Sequence, residues 1–122
     1  MTKNLLDARA LSDIAVKGLQ EIKGRNIIRM NLTQADGAVT DYFIICTGTS
    51  DRHVDSLAQS VMKELKEHGE HPISKEGLQH GEWVLLDFVN VVVHIFQEDK
   101  RDFYKLEKLW GDAVTERFDD DY

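Results

Sequence analysis

The sequence predicts an α/β fold: a single domain in which a mixed β-sheet is packed with helices. Three observations predict it. Apolar residues recur at intervals of three and four in separated stretches, and short β-prone apolar runs lie between those stretches. A chain of 122 residues, 42% of them hydrophobic, also holds enough apolar material for one core and too little for two. The resulting order is helix, two strands, helix, two or three strands, helix, which is the order of a sheet with helices laid on it.

Each element has its own warrant. Over residues 5–22, Leu5, Ala8, Leu11, Ala15, Leu19 and Ile22 form one helical stripe, and Gly24 marks its end. "NIIRMNL" and "DYFIICT" follow as β-prone runs, and Asp36-Gly37 between them supplies the turn of an antiparallel hairpin. From Asp51 to about His68, Val54, Leu57, Val61, Met62 and Leu65 again have helical spacing, with Gly69 at the C-terminal cap. "HPISKEGLQHGE" is polar and broken by Pro72, Gly77 and Gly81, so it reads as a loop with at most a short strand. "EWVLLDF" and "VVVHIFQ" are strong strands, and "EDKRDFYKLEKLWGDAV" is a closing helix with Phe103, Leu106 and Trp110 on one side. The domain spans residues 1–114, and residues 115–122, containing "ERFDDDY", form an acidic tail expected to fray.

Charge narrows the function classes. A net charge of -7 opposes a broad phosphate-binding surface and favours a basic protein as partner. The start of the chain has no uninterrupted apolar run of signal-peptide or membrane-span length, so a soluble, cytoplasmic protein is expected. Cys46 lies inside "YFIIC" and reads as a small buried hydrophobe, because aliphatic surroundings raise a thiol pKa and suppress its nucleophilicity.

"CTGTSDRHVDSLAQS" is the stretch that most resembles a catalytic loop. It lacks the lysine of a Walker loop and the G-x-S-x-G elbow of a serine hydrolase. A metal-dependent nucleotidyltransferase would place two carboxylates one residue apart on a strand after the turn, but Asp51 and Asp55 are four apart on a helix. Ser50 or Asp51 as an N-cap, with Gly48 relaxing the corner, is the simpler reading. His68, His71 and His80, beside Glu67 and Glu70, lack the spacing of a zinc site, so neither metal nor cofactor is expected.

The two late strands allow a test by register. Pairing them about Val89-Asn90 sets Phe88 against Val91, Asp87 against Val92, Leu85 against His94 and Trp83 against Phe96. One face then holds only apolar residues: Val84, Leu86, Phe88, Val91, Val93 and Ile95. The opposite face mixes Trp83, Leu85, Asp87, Val92, His94 and Phe96. Two readings stand for that second face. Either a helix covers it, with His94 hydrogen-bonded to Asp87 or to backbone, or it is an open binding surface to which Tyr104 adds.

"DYFIICTGTSDRHVDSLAQSV", "EGLQHGEWVLLDF", "VVVHIFQ" and "RDFYKLEKLWGDA" together resemble the Iojap-related ribosomal silencing factors, from the first helix to about Ala113. The resemblance implies a nucleotidyltransferase-like fold that lacks the catalytic carboxylates and is not an enzyme. It implies a homodimer that binds large-subunit ribosomal protein L-fourteen, blocks joining of the small subunit and restrains translation when nutrients are short, with any RNA contact peripheral. By position, it carries partner binding to Trp83, Asp87, His94, Phe96, Gln97, Arg101, Tyr104 and Trp110, although Trp110 shares the stripe of Phe103 and Leu106. The chain departs from the family at Val89-Asn90, where glycine followed by an acidic or polar residue is common, and a valine fits poorly in a type I′ turn. The alternative reading is a metal-dependent nucleotidyltransferase-like enzyme using the Gly48–Ser50 turn and Asp87.

Overall fold

Asp7 begins the first helix by accepting a hydrogen bond from the Ala10 N–H at 2.7 Å, and the stripe behind it buries Leu11, Ala15, Val16 and Leu19. In the computed structural model, which describes residues 6–35, 37–38, 40–100, 113–120 and 122, this helix is α1, Ala8–Glu21. Next come β1 (Arg25–Asn31), β2 (Tyr42–Gly48), α2 (Asp51–Lys66), β3 (Ser74–Glu76), β4 (Trp83–Asp87), β5 (Val91–Gln97) and β6 (Val114–Arg117). The strands form one sheet in the order β3-β4-β5-β2-β1-β6, and the fold is a mixed α/β domain as predicted.

The hairpin of β1 with β2 is antiparallel, and so is that of β4 with β5, whose register pairs Trp83 with Phe96, Leu85 with His94 and Asp87 with Val92. The two hairpins meet through β2 and β5, which run parallel and are buried along nearly their whole length. The Asp36 turn position lies outside the described residues. Helices α1 and α2 pack on one face of the sheet, burying Tyr42, Ile44, Val84, Leu86, Val91, Val93 and Ile95 with Leu57, Val61 and Leu65. Gly24 ends α1 without needing a left-handed backbone, which Lys23 takes at φ 58°; its bare Cα is needed because a Cβ would stand 2.5 Å from Cys46 Sγ.

The C-terminus differs from the sequence reading. Val114 belongs to a strand and not to the last helix, and residues 114–117 pair antiparallel with β1 where a frayed tail was expected. Beyond that strand, Phe118 N–H donates to the Ile27 carbonyl at 3.0 Å, Asp120 accepts from Asn26 N–H at 3.1 Å, and Tyr122 OH donates to the Gly24 carbonyl at 2.8 Å. The physical reason is Arg29. Its guanidinium is 3% exposed, donates to both Glu116 carboxylate oxygens at 2.9 and 3.0 Å, and also pairs with Ser12 and Asp13 on α1. Burial opposes its charge, but the hydrogen bonds and charges of Asp13 and Glu116 outweigh burial and hold its pKa above the ordinary value. The predicted closing helix is helical at residues 98–100, and residues 101–112 lie outside the described part of the chain.

Candidate partner-binding surface

The Gly48–Ser50 corner is built as a helix cap. Ser50 is extended (φ -157°, ψ 170°), and its Oγ accepts from the His53 N–H at 3.0 Å. The His53 ring is also committed: Nδ1 accepts from the Thr49 N–H at 2.9 Å, so Nε2 carries the proton and donates to the Ile22 carbonyl at 2.7 Å. That ring ties the end of α1 to the start of α2 and makes no contact with the Ser50 hydroxyl as a base would. Asp51 accepts from the Arg52 N–H at 2.8 Å, and Gly48 is needed because a Cβ there would lie 2.7 Å from Val54. Among the described residues no three His, Cys, Asp or Glu side chains are placed to hold a metal ion.

The outer face of the sheet, opposite α1 and α2, divides along its strands. Ile28, Met30, Leu32, Ile45 and Phe96 form a second buried cluster there, with Phe43 and Trp83 packed against it. Phe96 is 1% exposed, His94 5% and Val92 8%, whereas Trp83, Leu85 and Asp87 on β4 are half-buried. The face is therefore neither wholly covered nor wholly open. Of the residues read as binding a partner, His94 and Phe96 on β5 are withdrawn into the interior, whereas Trp83 and Asp87 on β4 keep accessible surface.

The rings form a connected set. Trp83 stacks on Phe96 with centroids 5.2 Å apart, and Phe43 meets His94 edge-on at 5.0 Å. Trp83 Nε1–H donates to His94 Nδ1 at 3.1 Å, which puts the histidine proton on Nε2, where it is buried with no hydrogen-bond acceptor. Burial lowers the His94 pKa from 6.5 to about 4, so the ring is neutral. The bond from His94 to Asp87 or backbone that went with the covered-face reading is replaced by this one from Trp83. Asp87 lies across from Val92, and its Oδ1 instead accepts from the nearer Val89 N–H at 2.8 Å.

Gln97 holds the rim of the surface. Its Nε2 donates to the Gly81 carbonyl at 3.0 Å, and its backbone N–H donates to the Glu82 carbonyl at 3.0 Å. Arg101, Tyr104 and Trp110 lie outside the described residues.

One neighbour of Asp87 was missed by the sequence reading, and a second was read only as a departure from the family pattern. Ile73, within the polar loop, is 70% exposed and donates its N–H to the Asp87 carbonyl at 2.8 Å. Val89 was read as a poor turn residue whose loop geometry and partner contact depart from the family. It is 52% exposed with φ 77°, and Asn90 N–H closes a three-residue turn around it to the Phe88 carbonyl at 3.0 Å. Positive φ is confined to Val89 in this turn, so the turn is not type I′. A β-branched residue held there costs about 1–3 kcal/mol.

Comparison with known proteins places the whole chain. A family model described as "Ribosomal silencing factor during starvation" matches residues 6–121. The chain is 37% identical over 105 residues to ribosomal silencing factor RsfS of Halalkalibacterium halodurans, covering 86% of this chain and 89% of the relative. It is 39% identical over 106 residues to RsfS of Chromobacterium violaceum, covering 87% and 86%. A crystal structure of a Chromobacterium violaceum protein superposes with a TM-score of 0.83 at 39% identity, covering 87% of this chain and 88% of that one.

Proposed function

This chain belongs to the ribosomal silencing factor family, and from that premise we infer that it binds the large ribosomal subunit through the outer face of β4 and prevents the small subunit from joining. The contacted component is ribosomal protein L-fourteen, the acting species is a homodimer, and the setting is the cytoplasm under nutrient limitation. The mechanism is steric: a rigid body occupies a surface that subunit joining requires, and no bond is made or broken. On this reading a nucleotidyltransferase-like scaffold serves for binding alone.

The observation that carries the inference is the half-open row of Trp83, Leu85 and Asp87 beside a buried aromatic cluster. An indole that is stacked on Phe96 and bonded to His94 is held in one orientation, so docking onto it costs little side-chain entropy. A net charge of -7 favours a cationic ribosomal protein and steers the encounter. Cosedimentation tests the inference: the chain should travel with free large subunits and be missing from joined ribosomes, and Trp83→Ala should lose that association while remaining folded. Wild-type protein that ignores large subunits would contradict it.

A further inference from the structure

We propose that the groove between the C-terminal half of α2 and the loop leading into β3 binds a small molecule carrying two or more linked phosphates. Met62, Lys63 and Lys66 from the helix, with His71, Pro72 and Lys75 from the loop and β3, line an open groove of about 370 Å³. That volume lies at the small end of ligand sites, which run from about 300 to 1,000 Å³. Met62 and Pro72 are half-buried and give the groove its apolar part, while the three lysines and His71 are exposed. Among the described residues no carboxylate lines the groove, and none of the three lysines forms an ion pair. Glu67 and Glu70, next in sequence to Lys66 and His71, stay off its lining.

Helical spacing and strand alternation bring these cations together. Lys63 and Lys66 are three apart, and Met62 and Lys66 four apart, so they share one face of α2. Lys75 pairs with Leu86, whose side chain lies in the core beneath α1 and α2, whereas Ser74 and Glu76 pair with Asp87 and Leu85 on the outer face. Alternation along β3 therefore sends its base toward the groove and its acid away. Each lysine also has a use in the fold: Lys63 and Lys66 suit the negative end of α2, and Lys75 guards an edge strand. Neither use requires three cations to meet over Met62 and Pro72 without a counter-ion, in a chain with 22 acidic residues against 15 basic ones. Linked phosphates supply the missing charge, and lysines bind phosphate as point charges. The net charge of -7 opposes this only weakly, because charges beyond about 8–10 Å are largely screened. The groove lies on the helix side of β3 and β4, opposite Trp83, Leu85 and Asp87, so a partner docked on that row leaves it free for a dissolved ligand.

Calorimetric titration of the full chain with inorganic tripolyphosphate tests this. It compares wild type, the double variant Lys66→Gln with Lys75→Gln, and a charge-matched control, Lys17→Gln with Arg52→Gln, whose positions are exposed and off the groove. Wild type and control should bind one tripolyphosphate per chain, more weakly as salt rises. The groove variant should bind about tenfold more weakly, with a thermal midpoint near wild type. Wild-type binding that does not saturate, or equal weakening in the control, would reduce the effect to overall charge and overturn the proposal. A short single-stranded RNA that binds through the same lysines more tightly than tripolyphosphate would assign the groove to RNA and also overturn it. Cosedimentation with large subunits separates this site from the docking row: the groove variant should match wild type, and a loss there would make these lysines ribosome contacts and overturn the proposal.

Discussion

At position 94 a histidine sits among Phe43, Trp83 and Phe96 in a state that only the neutral ring can occupy, because Nδ1 already accepts the Trp83 N–H. Its folded pKa is about 4 against 6.5 for the free side chain, so between those values the unfolded chain binds a proton that the folded chain does not. The contribution to stability is therefore complete above pH 6.5, falls as pH drops, and is lost to about 3 kcal/mol by pH 4. Urea unfolding from pH 7.5 to 4 should show this slope in the wild type and a flatter one in His94→Phe, the difference removing the carboxylates common to both. Trp83→Ala should cost about 2 kcal/mol, because it removes a half-buried ring and leaves His94 Nδ1 unpaired, and a thermal melt should still show cooperative unfolding. The positions of Trp83 and Asp87 on the outer face were legible, since strand alternation and register determine them. The partner of His94 was not, because a turn N–H competes for Asp87 and only coordinates show which donor is nearer.

Among the elements, β6 departs furthest from the local signals. "ERFDDDY" reads as a tail by composition, yet Glu116 is the counter-ion of Arg29, which lies 87 positions away inside an apolar run. Local composition carries no trace of such a pairing. A weaker signal was present: Glu116 and Phe118 alternate as a strand would, and the Phe118 ring lies 5.5 Å from the Arg29 guanidinium. Glu116→Ala leaves a buried guanidinium with Asp13 as its remaining carboxylate, and urea unfolding should show a loss of about 2 kcal/mol. The β4–β5 hairpin is the opposite case, where alternating patterns about a short turn gave the register found, from Trp83 opposite Phe96 to Asp87 opposite Val92.

On the scale of the whole molecule, α1 and α2 lie on one face of the sheet, and among the described residues the other face is closed over β5, β2 and β1 while β4 keeps accessible surface. The α/β class was legible from periodicity alone. The parallel join of β2 to β5 was not, because "DYFIICT" and "VVVHIFQ" are both apolar runs and nothing local selects one central neighbour over another. That join sets β5 beside β2, where His94 and Phe96 are buried, next to the accessible row of Trp83, Leu85 and Asp87 on β4. An acidic chain docking on a basic protein should also bind more weakly as salt rises, which a pull-down with purified L-fourteen at two salt concentrations would check. The most direct measurement is a sucrose-gradient separation of purified small and large subunits mixed under joining conditions with wild type or Trp83→Ala. The account expects wild type to hold large subunits free, with the chain in that peak alone, and Trp83→Ala to let them join. Wild-type chain riding on joined ribosomes, or Trp83→Ala blocking as well as wild type, would contradict it.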